Sequence, residues 1–157
     1  FRVLVNPNEP INPEISELTA ITDELVSDAV SIQVAAQRLT DWKNVHQANP
    51  IPIVWGGAGG AYNDVNRIYQ ESELESPFAP RILDVKCIYQ ALANGAGAKF
   101  RQKVGLAKSL DLLGLSWDPE YGENHQALAD AHNTMRVYMF LTKCMRGGLN
   151  IVESVRS

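Results

Sequence analysis

Cysteine is scarce: Cys87 and Cys144 are the two in 157 residues, far apart and without paired spacing. That excludes a disulfide-stapled miniprotein. Together with three scattered histidines, it also leaves too few ligands for a structural zinc site. Both cysteines are expected as reduced, buried thiols of an intracellular protein. Long apolar runs are lacking as well. None approaches the ~18 residues a membrane helix needs, so no membrane span is expected. No basic stretch leads into an apolar one in the manner of a secretory leader. An excess of positive charge is missing too. Fourteen Lys and Arg stand against eighteen Asp and Glu, a net charge of −4. This excludes nucleic-acid affinity through bulk charge but leaves room for a local basic groove.

What is present, 45% hydrophobic and 20% charged residues, is the composition of a globular protein with enough apolar side chains for a core. A disordered tail and a collagen-like rod are excluded. The length argues for one domain. Phe1 stands where a methionine would, and Phe1-Arg-Val-Leu-Val5 alternates like a strand before Asn6-Pro7-Asn8-Glu9-Pro10 turns it. A domain that opens inside a strand points to a missing upstream piece, by trimming or because the chain is a fragment of a longer polypeptide.

Pro13 to Val26 reads as a short, broken helix with Ser16 and Thr22 as caps. Ser31 caps a clearer helix, with Val34, Ala35, Leu39 and Trp42 at helical spacing, and Asn49-Pro50 stops it. Ile51-Pro-Ile-Val-Trp55 is too short for a helix and rich in branched residues, so it is expected as a buried strand, with Pro52 at an edge or near its start. Gly56 to Gly60 ends that strand. A helix is expected over Tyr62 to Glu73, with Val65, Ile68 and Tyr69 on one face. Ile82-Leu83-Asp84 forms a short strand running into a helix that Asp84 caps and that reaches Ala93. Asn94 to Gly97 is a flexible loop. Leu106, Leu110 and Leu113 mark a further helix ended by Gly114, and Glu123 to Met145 is the longest helical pattern, closed by Gly147-Gly148. Short apolar strands alternating with helices make a layered α/β domain.

Gly56 to Gly60 lies between a strand and a helix, where a phosphate loop would sit. It lacks the Lys-Ser/Thr of a nucleoside-triphosphate loop and the spacing of a dinucleotide fingerprint, and Gly95-Ala-Gly97-Ala-Lys99 fails in the same way. Both are read as flexible loops. Asp130 shares a small, partly apolar helix face with Ala127, Thr134 and Val137. A carboxylate there calls for a cation or a hydrogen-bonding partner; the plain alternative is an exposed acid. His125 precedes it by five residues, ~140° away on an ideal helix, so the two converge only if His125 sits in the preceding loop. Asp64 opens a helix just after a strand and glycine turn, where a carboxylate reaches the end of a sheet. Its plain alternative is an acid that complements the helix dipole.

Taken together these residues resemble a known family. His125-Gln-Ala-Leu-Ala-Asp130-Ala131 is similar to the last motif of the DnaQ-like 3′–5′ exonucleases of the DEDDh type. Val104 to Gly114 resembles the leucine-rich segment that precedes that motif. Asn6-Pro7, Pro10-Ile11 and Glu17-Leu-Thr-Ala-Ile-Thr22 are similar to the family's strand end and Thr-Gly-Ile-Thr segment, with Ala20 in place of the glycine. Trp55-Gly56 through Asp64 resembles the middle motif, in a form closest to phage-type and bacterial exoribonuclease branches. The order of motifs matches over nearly the whole chain, and the last motif is the specific one. In the family the middle aspartate directly follows an aromatic residue, whereas here the order is Tyr62-Asn63-Asp64. Either Asp64 is the ligand after a one-residue insertion or Asn63 fills the slot; Asp64 is preferred because Val65 and Ile68 then fall where the helix buries them. No Asp-x-Glu strand, the family's first motif, precedes Phe1.

The resemblance implies an α/β fold: an RNase H-like mixed sheet flanked by helices, lacking its first two strands. Residues 1–157 would form a single DnaQ-like exonuclease domain, N-terminally incomplete. The missing strand lies at the centre of the sheet in that fold. Its loss would leave the Phe1 and Ile51 strands with unpaired backbone groups, so a partner segment is expected from the same polypeptide or another chain. The implied activity is metal-dependent 3′–5′ hydrolysis of phosphodiester bonds from the 3′ end of single-stranded DNA or RNA. Two magnesium or manganese ions serve that chemistry. By resemblance Asp64 and Asp130 are metal ligands, and His125 is the general base, a task suited to an imidazole. Lys99-Phe100-Arg101-Gln102-Lys103, with Lys108, is the one local basic cluster holding an aromatic. Lys99, Arg101 and Lys103 are the candidates for gripping strand phosphates, a solvated loop being the plain alternative. The family also implies a cytoplasmic setting, a phage-encoded origin in the closest branches, and a polymerase or other protein as partner. The competing reading is a catalytically inactive nuclease-fold module that binds nucleic acid or a protein, which the altered middle motif and missing first motif favour. An unrelated α/β domain is the third.

Overall fold

The computed structural model describes residues 1–57, 61–97 and 104–147. The architecture is helix-rich mixed α/β, in two compact units: Phe1–Pro52 with Ala58–Ile82, and Ile53–Gly57 with Leu83–Ser157.

Unit 1 holds α1 (Pro13–Thr19), α2 (Asp23–Val26), α3 (Ile32–Val45) and α4 (Ala61–Glu71). The broken helix is present, and its break is Ala20 in a left-handed conformation (φ 58°), whose N–H closes on the Ser16 carbonyl. Asn12 rather than Ser16 caps α1, because Pro13 suits the first helical position and Asn12 Oδ1 then accepts the Glu14 N–H at 2.8 Å. Thr22 caps α2 and Ser31 caps α3, each accepting the N–H three residues on. Ala35 and Ala36 are buried on α3, and their small side chains let α4 pack against it. Tyr69 of α4, 2% exposed, reaches across to Thr40 Oγ1 (3.0 Å) and the Ala36 carbonyl (3.2 Å). Tyr62 donates to the Ala79 carbonyl at 2.7 Å.

The expected opening strand is reduced to one bridge. Val5 pairs in parallel with Val30, and the Asn6 N–H donates to the Val30 carbonyl at 2.9 Å. The cause is the partner: α2 ends at Val26 and the Ser31 cap begins α3, so the intervening turn offers one residue to pair with.

Unit 2 contains β1 (Ile53–Val54) and β2 (Leu83–Asp84), paired in parallel with Ile53 opposite Leu83 and Val54 opposite Asp84. It adds α5 (Val85–Gly95), α6 (Leu106–Leu112), a 3-10 turn at Pro119–Tyr121 and α7 (Ala127–Gly147). Of the mixed sheet that the resemblance implies, the described residues hold this parallel pair and the separate bridge of unit 1. β1 is shorter than Ile51 to Trp55 because its partner is cut off where Asp84 becomes the cap of α5, and because Gly56 turns the chain at φ +74°. The core is Val85 and Tyr89 of α5, Leu106 and Leu110 of α6, Leu113, and Val137 and Leu141 of α7, with Ile53 and Leu83 of the sheet against them.

The cysteines are both free, but they differ. Cys144 is buried as expected; Cys87 is exposed. The buried ridge of α5 runs through Val85, Tyr89 and Ala93, and Cys87 stands about 160° around the helix from Val85.

Candidate functional site

The site is built at the head of α7. The helix begins at Ala127 rather than Glu123, because Gly122 (φ +117°) and His125 (φ +71°) hold backbone angles no helix accepts. His125 therefore sits in the preceding loop, the condition for it to meet Asp130. Its backbone N–H donates to Asp130 Oδ1 at 3.3 Å, while the Asp130 N–H closes the first turn on the Gln126 carbonyl at 2.9 Å. A non-glycine residue with positive φ is strained by the order of 1 kcal/mol and persists where its surroundings hold it.

Asp130 is partly buried and His125 exposed. Burial pushes the Asp130 carboxyl above the usual carboxylate range, against the pull of the His125 N–H and the His125 charge. A desolvated carboxylate beside an accessible imidazole can bind a cation and exchange a proton with water.

Asp64 belongs to unit 1, in the first turn of α4. Its side chain is 69% exposed and lies 4.0 Å from the Arg67 guanidinium, which also faces Glu71 at 3.5 Å. Such exposed pairs contribute little. Asn63 is exposed in the same turn, so the choice between the two for the middle motif stays open. Lys99, Arg101 and Lys103 lie outside the described residues; Lys108 is exposed on α6.

Two polar centres hold contacts that were not legible in the sequence. Asp84, expected as the cap of α5, does cap it, with the Lys86 and Cys87 N–H groups at 2.9 and 3.3 Å. It also accepts the Gly56 N–H at 3.1 Å and the Gly57 N–H at 2.7 Å. The glycine turn thus points two donors at an anion the chain itself supplies, which is why it is no phosphate loop. Desolvation raises the Asp84 carboxyl, but these hydrogen bonds together outweigh it and hold it below the ordinary value.

The second centre is Asp118 with His132: Asp118 Oδ2 lies 2.9 Å from His132 Nε2, and the Tyr121 ring stacks on His132 with centroids 4.1 Å apart. The Glu120 N–H, then the His132 ring, hold the Asp118 carboxyl low. The one sequence signal was Asp118-Pro119, a turn opening; a partner fourteen residues on leaves none.

The chemistry of Asp130 suits a hard divalent cation, but the number of ligands falls short. Among the described residues no group of three or more His, Cys, Asp or Glu is placed to hold a metal ion. No helix among them is long and apolar enough to cross a membrane.

The family model RNase_T, described as an exonuclease, matches residues 1–138. The chain belongs to this DnaQ-like exonuclease family of the RNase H-like superfamily. Membership places it among nucleases, hydrolases whose substrate is nucleic acid. No curated protein and no solved structure matches the chain.

Proposed function

We propose that the intact protein is a metal-dependent 3′–5′ exonuclease of the DEDDh type acting on single-stranded DNA or RNA. The observation that carries this reading is the pair at the head of α7: a partly buried Asp130 whose carboxylate holds the backbone of an exposed, strained His125, in a chain of an exonuclease family. In the proposed reaction the His125 ring takes the proton of the attacking water, and its loop position lets water and substrate approach it. Asp130, with Asp64 or Asn63, would hold magnesium or manganese. When bound, such ions supply charge to the scissile phosphate and to the leaving oxygen. Two further carboxylates are needed, and an Asp-x-Glu strand outside these 157 residues would provide them, completing an RNase H-like sheet and a single exonuclease domain. Lys99, Arg101 and Lys103 would grip the phosphates of the strand.

A 5′-labelled single strand incubated with the intact protein and magnesium tests the proposal. Expected is a ladder shortening from the 3′ end, abolished by chelation and slowed by orders of magnitude in His125→Ala. Binding without shortening would favour the non-cutting module instead.

A further inference from the structure

We propose that Asp118, Tyr121 and His132 are positioning residues for His125: they clasp the loop from Trp117 to Gln126 across the head of α7. The inference rests on the reading of His125 as the general base, and it deepens that reading.

The loop is fastened to α7 at two places. At its far end the His125 N–H meets Asp130 Oδ1. At its near end Asp118 Oδ2 meets His132 Nε2 at 2.9 Å, and the fully buried Asn133 accepts the Asp118 N–H at 3.3 Å. On an ideal helix Asp130 and His132 point about 160° apart. The loop is therefore strapped around the helix end from one side to the other. Its own bonds shorten it further: Trp117 Nε1 donates to the Gly122 carbonyl at 3.0 Å, and Asp118 accepts the Glu120 N–H at 3.1 Å.

This explains how His125 keeps φ at +71°. A left-handed non-glycine residue relaxes unless both flanks are held. Downstream the hold is local: the His125 N–H meets Asp130 at 3.3 Å, the Gln126 N–H meets the Glu123 carbonyl at 3.2 Å and the Glu123 N–H meets Gln126 Oε1 at 3.3 Å. Upstream, the Asp118–His132 contact, with Tyr121 stacked on His132, is what fastens the same loop to α7. Both partners are 28% exposed, so the clasp is reachable by substitution without opening the core.

The test uses the intact protein and the variants His132→Ala, His132→Gln, which keeps a donor for Asp118, and Tyr121→Ala. One readout is the imidazole Cε1–H resonance of His125, assigned by single replacement among the three histidines. Expected is a displaced or broadened His125 signal in His132→Ala and Tyr121→Ala and a near wild-type one in His132→Gln. For hydrolysis, His132→Ala should lower kcat on the order of 10-fold to 100-fold with little change in KM. In a His125→Ala background it should add no further loss. An unchanged His125 signal in folded Tyr121→Ala and His132→Ala overturns the proposal, as does an equal kcat loss in the His125→Ala background. Should His132→Ala fail to fold, Tyr121→Ala and His132→Gln decide. Should the wild type prove inactive, the general-base reading fails, while the resonances still report whether the clasp holds the loop.

Discussion

Replacing Asp84 by alanine removes a carboxylate that ties three chain segments together: the glycine turn after β1, the end of β2 and the start of α5. Loss of the helix cap costs about 1 kcal/mol. The Gly56 and Gly57 bonds at 3.1 and 2.7 Å go to an ionised acceptor and are about 1.5 kcal/mol each, the weak end of the range, since water replaces part of them at a half-buried site. The expected destabilisation is about 4 kcal/mol, or roughly 8–16 °C in Tm for a chain of this size. Asp84→Asn keeps one oxygen for the cap and loses the charge and the Gly57 bond, so it should cost about 2 kcal/mol. Urea unfolding followed by circular dichroism measures both. The pH dependence gives a second check. The folded carboxyl lies below its ordinary value of 3.8, so its stabilisation is complete above 3.8 and is lost as pH falls through the folded value. The gap between wild type and Asp84→Ala should be full at pH 7 and narrow as the pH falls below 3.8 through the folded value, the protonated acid keeping an oxygen for the cap. A loss under about 1 kcal/mol for Asp84→Ala, or a gap that does not narrow in acid, would refute the reasoning.

Three further outcomes are expected. Asp130→Asn keeps an oxygen for the His125 N–H but removes a desolvated charge. Because burial raises the folded carboxyl, the variant should be more stable than wild type at pH 7 by thermal unfolding, with the advantage gone below the ordinary value of 3.8, and inactive at any pH. Gly122→Ala puts a Cβ against the Gln126 side chain at φ +117°; it should cost about 1–3 kcal/mol in urea unfolding. With a thiol reagent in native buffer, the exposed Cys87 should react and the buried Cys144 only after unfolding; two equally fast thiols would contradict the packing of α7.

Local signals carried the helices. The caps Thr22, Ser31 and Asp84 stand where they were expected, because a side-chain oxygen three residues ahead of an apolar stripe acts within its own turn. His125 was legible only in part: it could meet Asp130 only from the preceding loop, yet the expected helix began at Glu123 and took it in, because the left-handed backbone that ends the loop leaves no sequence mark at a histidine. What stayed hidden depends on partners far along the chain. Gly56 and Gly57 donate to an acceptor 28 and 27 residues on, and Asp118 finds His132 across fourteen. Alternation in Phe1 to Val5 gave a strand-like pattern, yet one residue pairs, since pairing needs a partner strand as long as itself. Cys87 was misjudged because thiols are usually buried; the ridge through Val85, Tyr89 and Ala93 already faced it outward.

The most direct test of the account is a time course on one single-stranded oligonucleotide labelled at its 5′ end, with magnesium, using intact wild type beside His125→Ala. The account predicts products shortened stepwise from the 3′ end by the wild type and slower by about 100-fold or more in the variant. Equal rates for the two proteins, or a strand left whole by the wild type, would contradict it.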